Sequence, residues 1–220
     1  MKRLTRLTRR FAALVVGHGL VLFARLITAP RAIWAGVEPV AKQRIYFANH
    51  TSNGDFVLAW AVLPPHLRKK TRPVAASDYW LKNKLRAFVG GEVFRAVLIN
   101  REKEERTEDP VDLMVAALDE GSSLILFPEG NRNMGPDPLL PFRTGLYHLA
   151  SKRPDVDLVP TWIANLNEIL PKGEVIPLPL LCTITYGEPI HLRRNESKEA
   201  FLKRAEKALL DQRPDTEVQE

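Results

Sequence analysis

From Arg44 onward the chain alternates short apolar runs rich in β-branched and aromatic residues with longer stretches of helical periodicity. The runs Arg44–Ala48, Pro73–Ala76, Val93–Asn100, Leu124–Phe127, Leu158–Ile163 and Leu181–Tyr186 are predicted strands. Helical patterns fall at Asp55–Val62, Tyr79–Val89, Pro110–Glu120 and Arg143–Lys152. A last amphipathic helix, Ser197–Asp211, sets Phe201, Leu202, Ala205, Leu209 and Leu210 on one side before Pro214 stops it. Strand–helix alternation of this kind implies an α/β domain, a mostly parallel or mixed sheet flanked by helices, with functional groups in the loops that leave strand ends. No internal repeat and no Gly/Ser-rich linker divides it. The organisation is therefore a single domain, residues 38–220, preceded by a distinct segment, residues 1–37.

That segment begins with basic residues (Lys2, Arg3, Arg6, Arg9, Arg10) and continues as the apolar run Phe11–Ala24, about fourteen residues long and containing His18. A spanning helix needs roughly 20 apolar residues. Arg25 interrupts the run, and Pro30 after Thr28-Ala29 makes a poor cleavage site for a secretory signal. The expected element is an uncleaved monotopic or re-entrant helix whose apolar flank enters one leaflet while the arginines meet anionic headgroups. A buried core helix is the other reading, but five positive charges in its first ten residues would bring it nothing.

Charge sharpens this picture. The net charge is +6, from 32 basic and 26 acidic residues, yet residues 1–37 hold seven of the bases and no acid. The rest of the chain is near neutral, which suits an anionic surface touched by one end of the molecule and disfavours a nucleic-acid groove. A second basic stretch, Arg68–Arg72 with Lys82, Lys84 and Arg86, is interleaved with Trp60, Tyr79 and Trp80. It reads as an interfacial belt, as a dock for an acidic partner, or as a solvated face. At 220 residues, with 45% apolar and 26% charged, the chain is an ordinary folded protein. The single Cys182 excludes an internal disulfide framework and fits the reducing, cytoplasmic side of a membrane.

Two loops carry candidate chemistry. Asn49-His50-Thr51-Ser52-Asn53-Gly54-Asp55 joins an apolar strand to an apolar helix. On a continuous helix His50 and Asp55 would lie about 140° apart, but on a strand–turn–helix the carboxylate can point back at the imidazole. There it would fix the tautomer and favour the imidazolium formed when His50 takes a proton, making a general base for a hydroxyl. Helix capping accounts for Ser52, Asn53 and Asp55 but leaves His50 unexplained. In the second loop, Leu124-Ile-Leu-Phe-Pro-Glu129-Gly130-Asn131-Arg132, a strand stops at Pro128 and presents an acid and a guanidinium suited to phosphate. A surface turn with a Glu–Arg pair is the plainer reading. Arg101 is a further strand-end arginine, and Pro160 in Leu158-Val-Pro160 suggests a strand end lining a site.

In order, Asn49-His50-x-Ser52-x-x-Asp55, strand-Arg101, Phe127-Pro128-Glu129-Gly130-x-Arg132 and Val159-Pro160 resemble the four blocks of the glycerolipid acyltransferases, which include the 1-acylglycerol-3-phosphate acyltransferases (the His-x4-Asp motif). Pro141-Phe142-Arg143-Thr144-Gly145 resembles the segment that follows the third block. Thr51 and Asn131 depart from the family's usual Gln and Thr, and bear on acceptor choice. The resemblance implies acyl transfer from acyl-CoA or acyl carrier protein to a hydroxyl of a phosphorylated glycerolipid such as lysophosphatidate, a step of phospholipid biosynthesis. By analogy His50 is the base and Asp55 orients it. Arg101 and Arg132 hold the acceptor phosphate, Glu129 and Gly130 shape that pocket, and Pro160 belongs to its wall. No metal, cofactor or covalent intermediate is required.

Other classes find little support. The chain has no Gly-x-Ser-x-Gly elbow, no metal-spaced His or Cys set, and no P-loop or Gly-x-Gly-x-x-Gly. The second reading is a non-catalytic peripheral lipid-binding protein of the same fold.

Overall fold

The computed structural model describes residues 2–102, 106–164 and 182–214. Its centre is a seven-stranded sheet in the order β1-β7-β6-β2-β5-β3-β4. The strands are β1 (Arg31–Trp34), β2 (Arg44–Ala48), β3 (Thr71–Ala76), β4 (Val97–Ile99), β5 (Ser123–Leu126), β6 (Asp157–Ala164) and β7 (Thr183–Tyr186). Every neighbouring pair is parallel except β6–β7, so the sheet is mixed.

The central strands β2, β5 and β6 are buried along their whole length, as expected of parallel strands covered on both faces. Side-chain alternation divides them between two cores. Tyr46, Ala48, Ile125, Val159 and Ile163 join a core beneath helices α1 (Lys2–Thr28) and α2 (Asp55–Val62). Ile45, Phe47, Leu124, Leu126 and Leu158 join the other, beneath α6 (Pro110–Asp119), α7 (Gly145–Lys152) and the C-terminal helix α8 (Lys198–Leu210).

Three elements depart from the sequence pattern. Residues 31–34, grouped by sequence with the N-terminal segment, form the edge strand β1, paired in parallel with β7 from Arg31↔Thr183 to Trp34↔Tyr186. The stretch Tyr79–Val89 is not one helix. It follows a short helix α4 (Ser77–Trp80), breaks, and resumes as α5 (Lys84–Phe88) with the Asn83 side chain accepting from Arg86 N–H. Before these lies α3 (Pro65–Arg68). The expected strand Val93–Asn100 shrinks to β4, because Val89–Val93 is a π-helical turn closed by Phe94 N–H to Val89 C=O at 3.0 Å. Gly90 permits that turn: a Cβ there would stand 2.8 Å from Trp80 Cε3. Leu181, the first residue of the last predicted strand, and residues 103–105 of the charged run after Arg101 lie outside the described residues.

Helix α1 has 27 residues, about 40 Å at helical rise. Its Arg6–Leu26 stretch, 21 residues with mean hydropathy 1.4, is long and apolar enough to cross a membrane, beyond the fourteen-residue core that the sequence delimits by charge. One side (Ala13, Gly17, Val21, Ala24) rests on the domain, where Gly17 approaches Val93 and Trp60. The opposite side leaves Leu7, Phe11, Leu14, Val15, Leu22 and Leu26 exposed. Part of the second basic stretch is used internally. Arg68 lies over Trp60, Arg86 over Tyr79, and Arg72 pairs with Glu120.

Candidate active site

The C-terminal ends of β2, β5, β3 and β4 share one edge of the sheet, and the candidate residues follow directly from them. At the end of β2, the buried Asn49 side chain spans to β6, accepting from Ile163 N–H (2.7 Å) and donating to Ile163 C=O (2.9 Å). This fixes the chain where it leaves the sheet. His50 comes next, then a turn over Thr51–Gly54, and Asp55 opens α2.

The carboxylate does point back. His50 Nδ1 lies 2.8 Å from Asp55 Oδ2, and that same oxygen accepts from Thr51 N–H (2.7 Å) and Ser52 N–H (2.8 Å). A carboxylate only accepts, so Nδ1 carries the proton and Nε2 presents a lone pair. Asp55 is fully buried, and its Oδ1 has no partner among the described residues. The imidazole is stacked on Phe127 (centroids 4.3 Å apart, planes at 21°) with about a fifth of the side chain exposed. Capping is thus not what these residues do. Gly54 occupies the N-cap without a side-chain bond, and Asp55 instead closes the turn that carries His50.

The loop after β5 wraps this residue. His50 N–H donates to Glu129 Oε1 (2.7 Å), and Asn133 N–H donates to His50 C=O (2.6 Å). Glu129 is buried, and its second oxygen accepts from Leu140 N–H (2.8 Å). Burial pushes its carboxyl pKa up, while the two N–H donors and His50 hold it back. Glu129 therefore clips two loops to the base. Gly130 has φ +72, the left-handed conformation that favours glycine. Arg143 lies across it, with its own N–H bonded to Pro128 C=O at 2.8 Å. Arg132, exposed, has no ion pair or hydrogen bond among the described residues.

Two expected residues stand elsewhere. Arg101 follows β4, three strands or about 14 Å across the sheet from β2. Its guanidinium is held by Asp78 through Nε–Oδ1 (3.3 Å) and Nη2–Oδ2 (2.6 Å). Pro160 is not at a strand end but buried inside β6, opposite Phe47. It lies three positions before Ile163, so it sits about 10 Å below the level of His50. Proline is tolerated there because β7 ends at Tyr186. Gly187 N–H bonds Pro160 C=O, and the next paired residues are Leu158 and Ile190, so Pro160 falls at an interruption of the ladder. Cys182 is buried behind the site, its thiol bonded to Ala164 C=O and its pKa pushed up to about 12 by burial and by the Asp55 charge.

A family profile described as Acyltransferase matches residues 33–164, more than half of the sequence. The chain belongs to the acyltransferase family. Among curated acyltransferase relatives it is 30% identical over 130 residues to the 1-acyl-sn-glycerol-3-phosphate acyltransferase of Salmonella typhimurium, covering 56% of this chain and 47% of that protein. It is 31% identical over 159 residues to the enzyme of that name from Escherichia coli, covering 66% and 59%. The chain thus spans about half the length of the curated relatives it matches. The crystal structure of the 1-acyl-sn-glycerophosphate (LPA) acyltransferase PlsC from Thermotoga maritima shares the fold, with a TM-score of 0.67 and 20% identity over 94% of this chain and 80% of that one. In this member of the family His50, Asp55 and the Glu129–Asn133 loop adjoin one another. The Asn49 brace, the Phe127 stack and the position of Arg143 were not assigned from sequence, although each residue lies inside a block that the resemblance had marked.

Proposed function

We propose that this chain transfers a fatty acyl group from an acyl thioester to a hydroxyl of a phosphorylated glycerolipid, a lysophosphatidate-like acceptor. The observation that carries the reading is the 2.8 Å contact between His50 Nδ1 and Asp55 Oδ2. It leaves Nε2 as an acceptor at the loop edge of the sheet, beside the Glu129–Arg132 loop. The acceptor hydroxyl gives its proton to Nε2 as its oxygen attacks the thioester carbonyl. The Asp55 charge stabilises the imidazolium that forms. When the tetrahedral intermediate collapses, the carbon–sulfur bond breaks and the thiolate takes the proton from His50. No enzyme-bound acyl intermediate forms, because the pair positions a base rather than a nucleophile. Arg132 meets the acceptor phosphate.

The donor is acyl-CoA or acyl carrier protein. The exposed apolar stripe of α1 supports attachment to a membrane, where both acceptor and product reside. The basic residues ahead of it favour anionic lipid and the cytoplasmic face.

The test is acyl transfer by purified protein, with both donor types offered against lysophosphatidate, glycerol 3-phosphate and other lysolipids, and products identified by mass spectrometry. Ester formation on a phosphorylated acceptor is expected. Vesicle binding without transfer from any donor would leave the lipid-binding reading in its place.

A further inference from the structure

We propose that Arg143, paired with Arg132, grips the acceptor phosphate in the role that the sequence pattern gives to Arg101. The inference rests on the acyl-transfer reading and adds a specificity residue to it.

The loop Glu129–Asn133 is tied to the proposed base by two hydrogen bonds, His50 N–H to Glu129 and Asn133 N–H to His50 C=O. The loop is therefore a direct neighbour of the proposed base. Two guanidinium groups border it. Arg132 is part of the loop and unpartnered among the described residues. Arg143 lies so close over Gly130 that a Cβ added to that glycine would collide with Arg143 Nε and stand 2.6 Å from its Cδ. Glycine at this position does two things: it takes the left-handed turn, and it lets the guanidinium rest on bare backbone.

Arg143 is seated but not neutralised. Its main-chain N–H is fixed to Pro128 C=O at 2.8 Å, so the side chain starts from a defined point against the loop. The hydrogen-bond pattern orients the Asn131 amide with its oxygen 3.0 Å from Arg143 Nη2 and its nitrogen donating to Gly130 C=O. Asn131 is a neutral acceptor for one donor, and the guanidinium has five. No carboxylate pairs with Arg143 among the described residues. Glu129, the acid of the loop itself, spends both oxygens on backbone N–H groups. Two arginines at one loop, neither paired with a carboxylate among the described residues, suit an anion with several acceptor oxygens, which a phosphate monoester supplies. The N-terminus of α7, two residues beyond Arg143, adds a favourable dipole. Arg101, in contrast, already has its bidentate anion in Asp78.

The experiment compares Arg143→Met, Arg143→Lys, Arg101→Met and Gly130→Ala in steady-state kinetics with lysophosphatidate and with uncharged monoacylglycerol. Loss of one charge-assisted contact should raise the lysophosphatidate KM of Arg143→Met about 10- to 100-fold. The donor KM should move far less, and the preference for the phosphorylated acceptor should shrink by the same factor. Lysine should restore part of that preference, and Gly130→Ala should reproduce part of the loss by displacing the guanidinium. Arg101→Met should raise the acceptor KM less than Arg143→Met. Calorimetric titration with glycerol 3-phosphate reads the same contact without turnover. Binding by the wild type that weakens at least tenfold in Arg143→Met supports the assignment. Equal binding by both proteins, no binding by the wild type, or a larger effect at Arg101 would overturn it. Retained phosphate binding without any acyl transfer would count against the catalytic reading alone.

Discussion

Replacing Asp55 by Asn is the most informative single change, because the structure limits what the amide can do. Three N–H groups, from His50, Thr51 and Ser52, converge on Oδ2. An amide nitrogen in that place would face three donors, so the Asn oxygen must take it. The NH2 then replaces Oδ1, which is buried and without a partner among the described residues. The tautomer of His50 is preserved and only the charge is lost. With the imidazolium and carboxylate about 4 Å apart and an effective dielectric near 20, that charge contributes about 4 kcal/mol to the protonated base. At about 1.4 kcal/mol per decade, kcat should fall roughly 1,000-fold while the acceptor KM moves little. The unsatisfied NH2 should cost about 1–3 kcal/mol of folding free energy, offset in part by removal of a buried charge. Kinetics with a saturating thioester donor, together with urea melts, read both quantities. A variant that keeps more than a tenth of the wild-type kcat, or whose loss lies wholly in KM, would refute the idea that Asp55 acts by stabilising the imidazolium.

Other expectations follow from the same geometry. Glu129→Gln can satisfy only one of the two N–H groups from His50 and Leu140, and should lower stability by about 1–3 kcal/mol in denaturant melts. Since burial raises the folded-state pKa of Glu129, the wild type should lose stability as pH rises from the ordinary glutamate value of 4.5 through that raised value. The Gln variant should lack this slope, and an identical pH profile in both proteins would contradict it. Cys182, its thiol pushed up to about 12, should resist a disulfide reagent at pH 8 in the native protein and react fully once unfolded. Rapid native labelling would show that the site behind β7 is open. Leu14→Asp combined with Leu22→Asp removes two exposed apolar side chains of α1, each contributing about 1.5–3 kcal/mol if buried in lipid. Sedimentation with anionic vesicles should fall at least 100-fold in affinity, and wild-type-like sedimentation would exclude this face as the attachment surface.

The sheet was legible where burial is two-sided. β2, β5 and β6 are continuous apolar runs, and their positions follow from composition alone. β1 was not, since Arg31-Ala-Ile-Trp34 is four residues with a charged start, and its partner β7 lies some 150 residues away. Pairing over that distance leaves no local mark. The break between α4 and α5 and the π turn after them depend on how Gly90 meets Trp80, a contact that periodicity does not encode. At the site, the His50–Asp55 contact was foreseeable because a turn of known length brings the two together. The Arg101–Asp78 pair joins the ends of adjacent strands 23 residues apart, and the seat of Arg143 on Gly130 depends on a second loop folding back. Both rest on tertiary geometry, which the spacing of residues along the chain does not encode.

The most direct test of the central claim is the initial rate of acyl transfer to lysophosphatidate by the wild type and by His50→Ala, measured at equal protein and saturating donor. Ester product is expected from the wild type, with a loss of about 100- to 10,000-fold on removing the base and with fold and vesicle binding retained. Equal rates in the two proteins would contradict it.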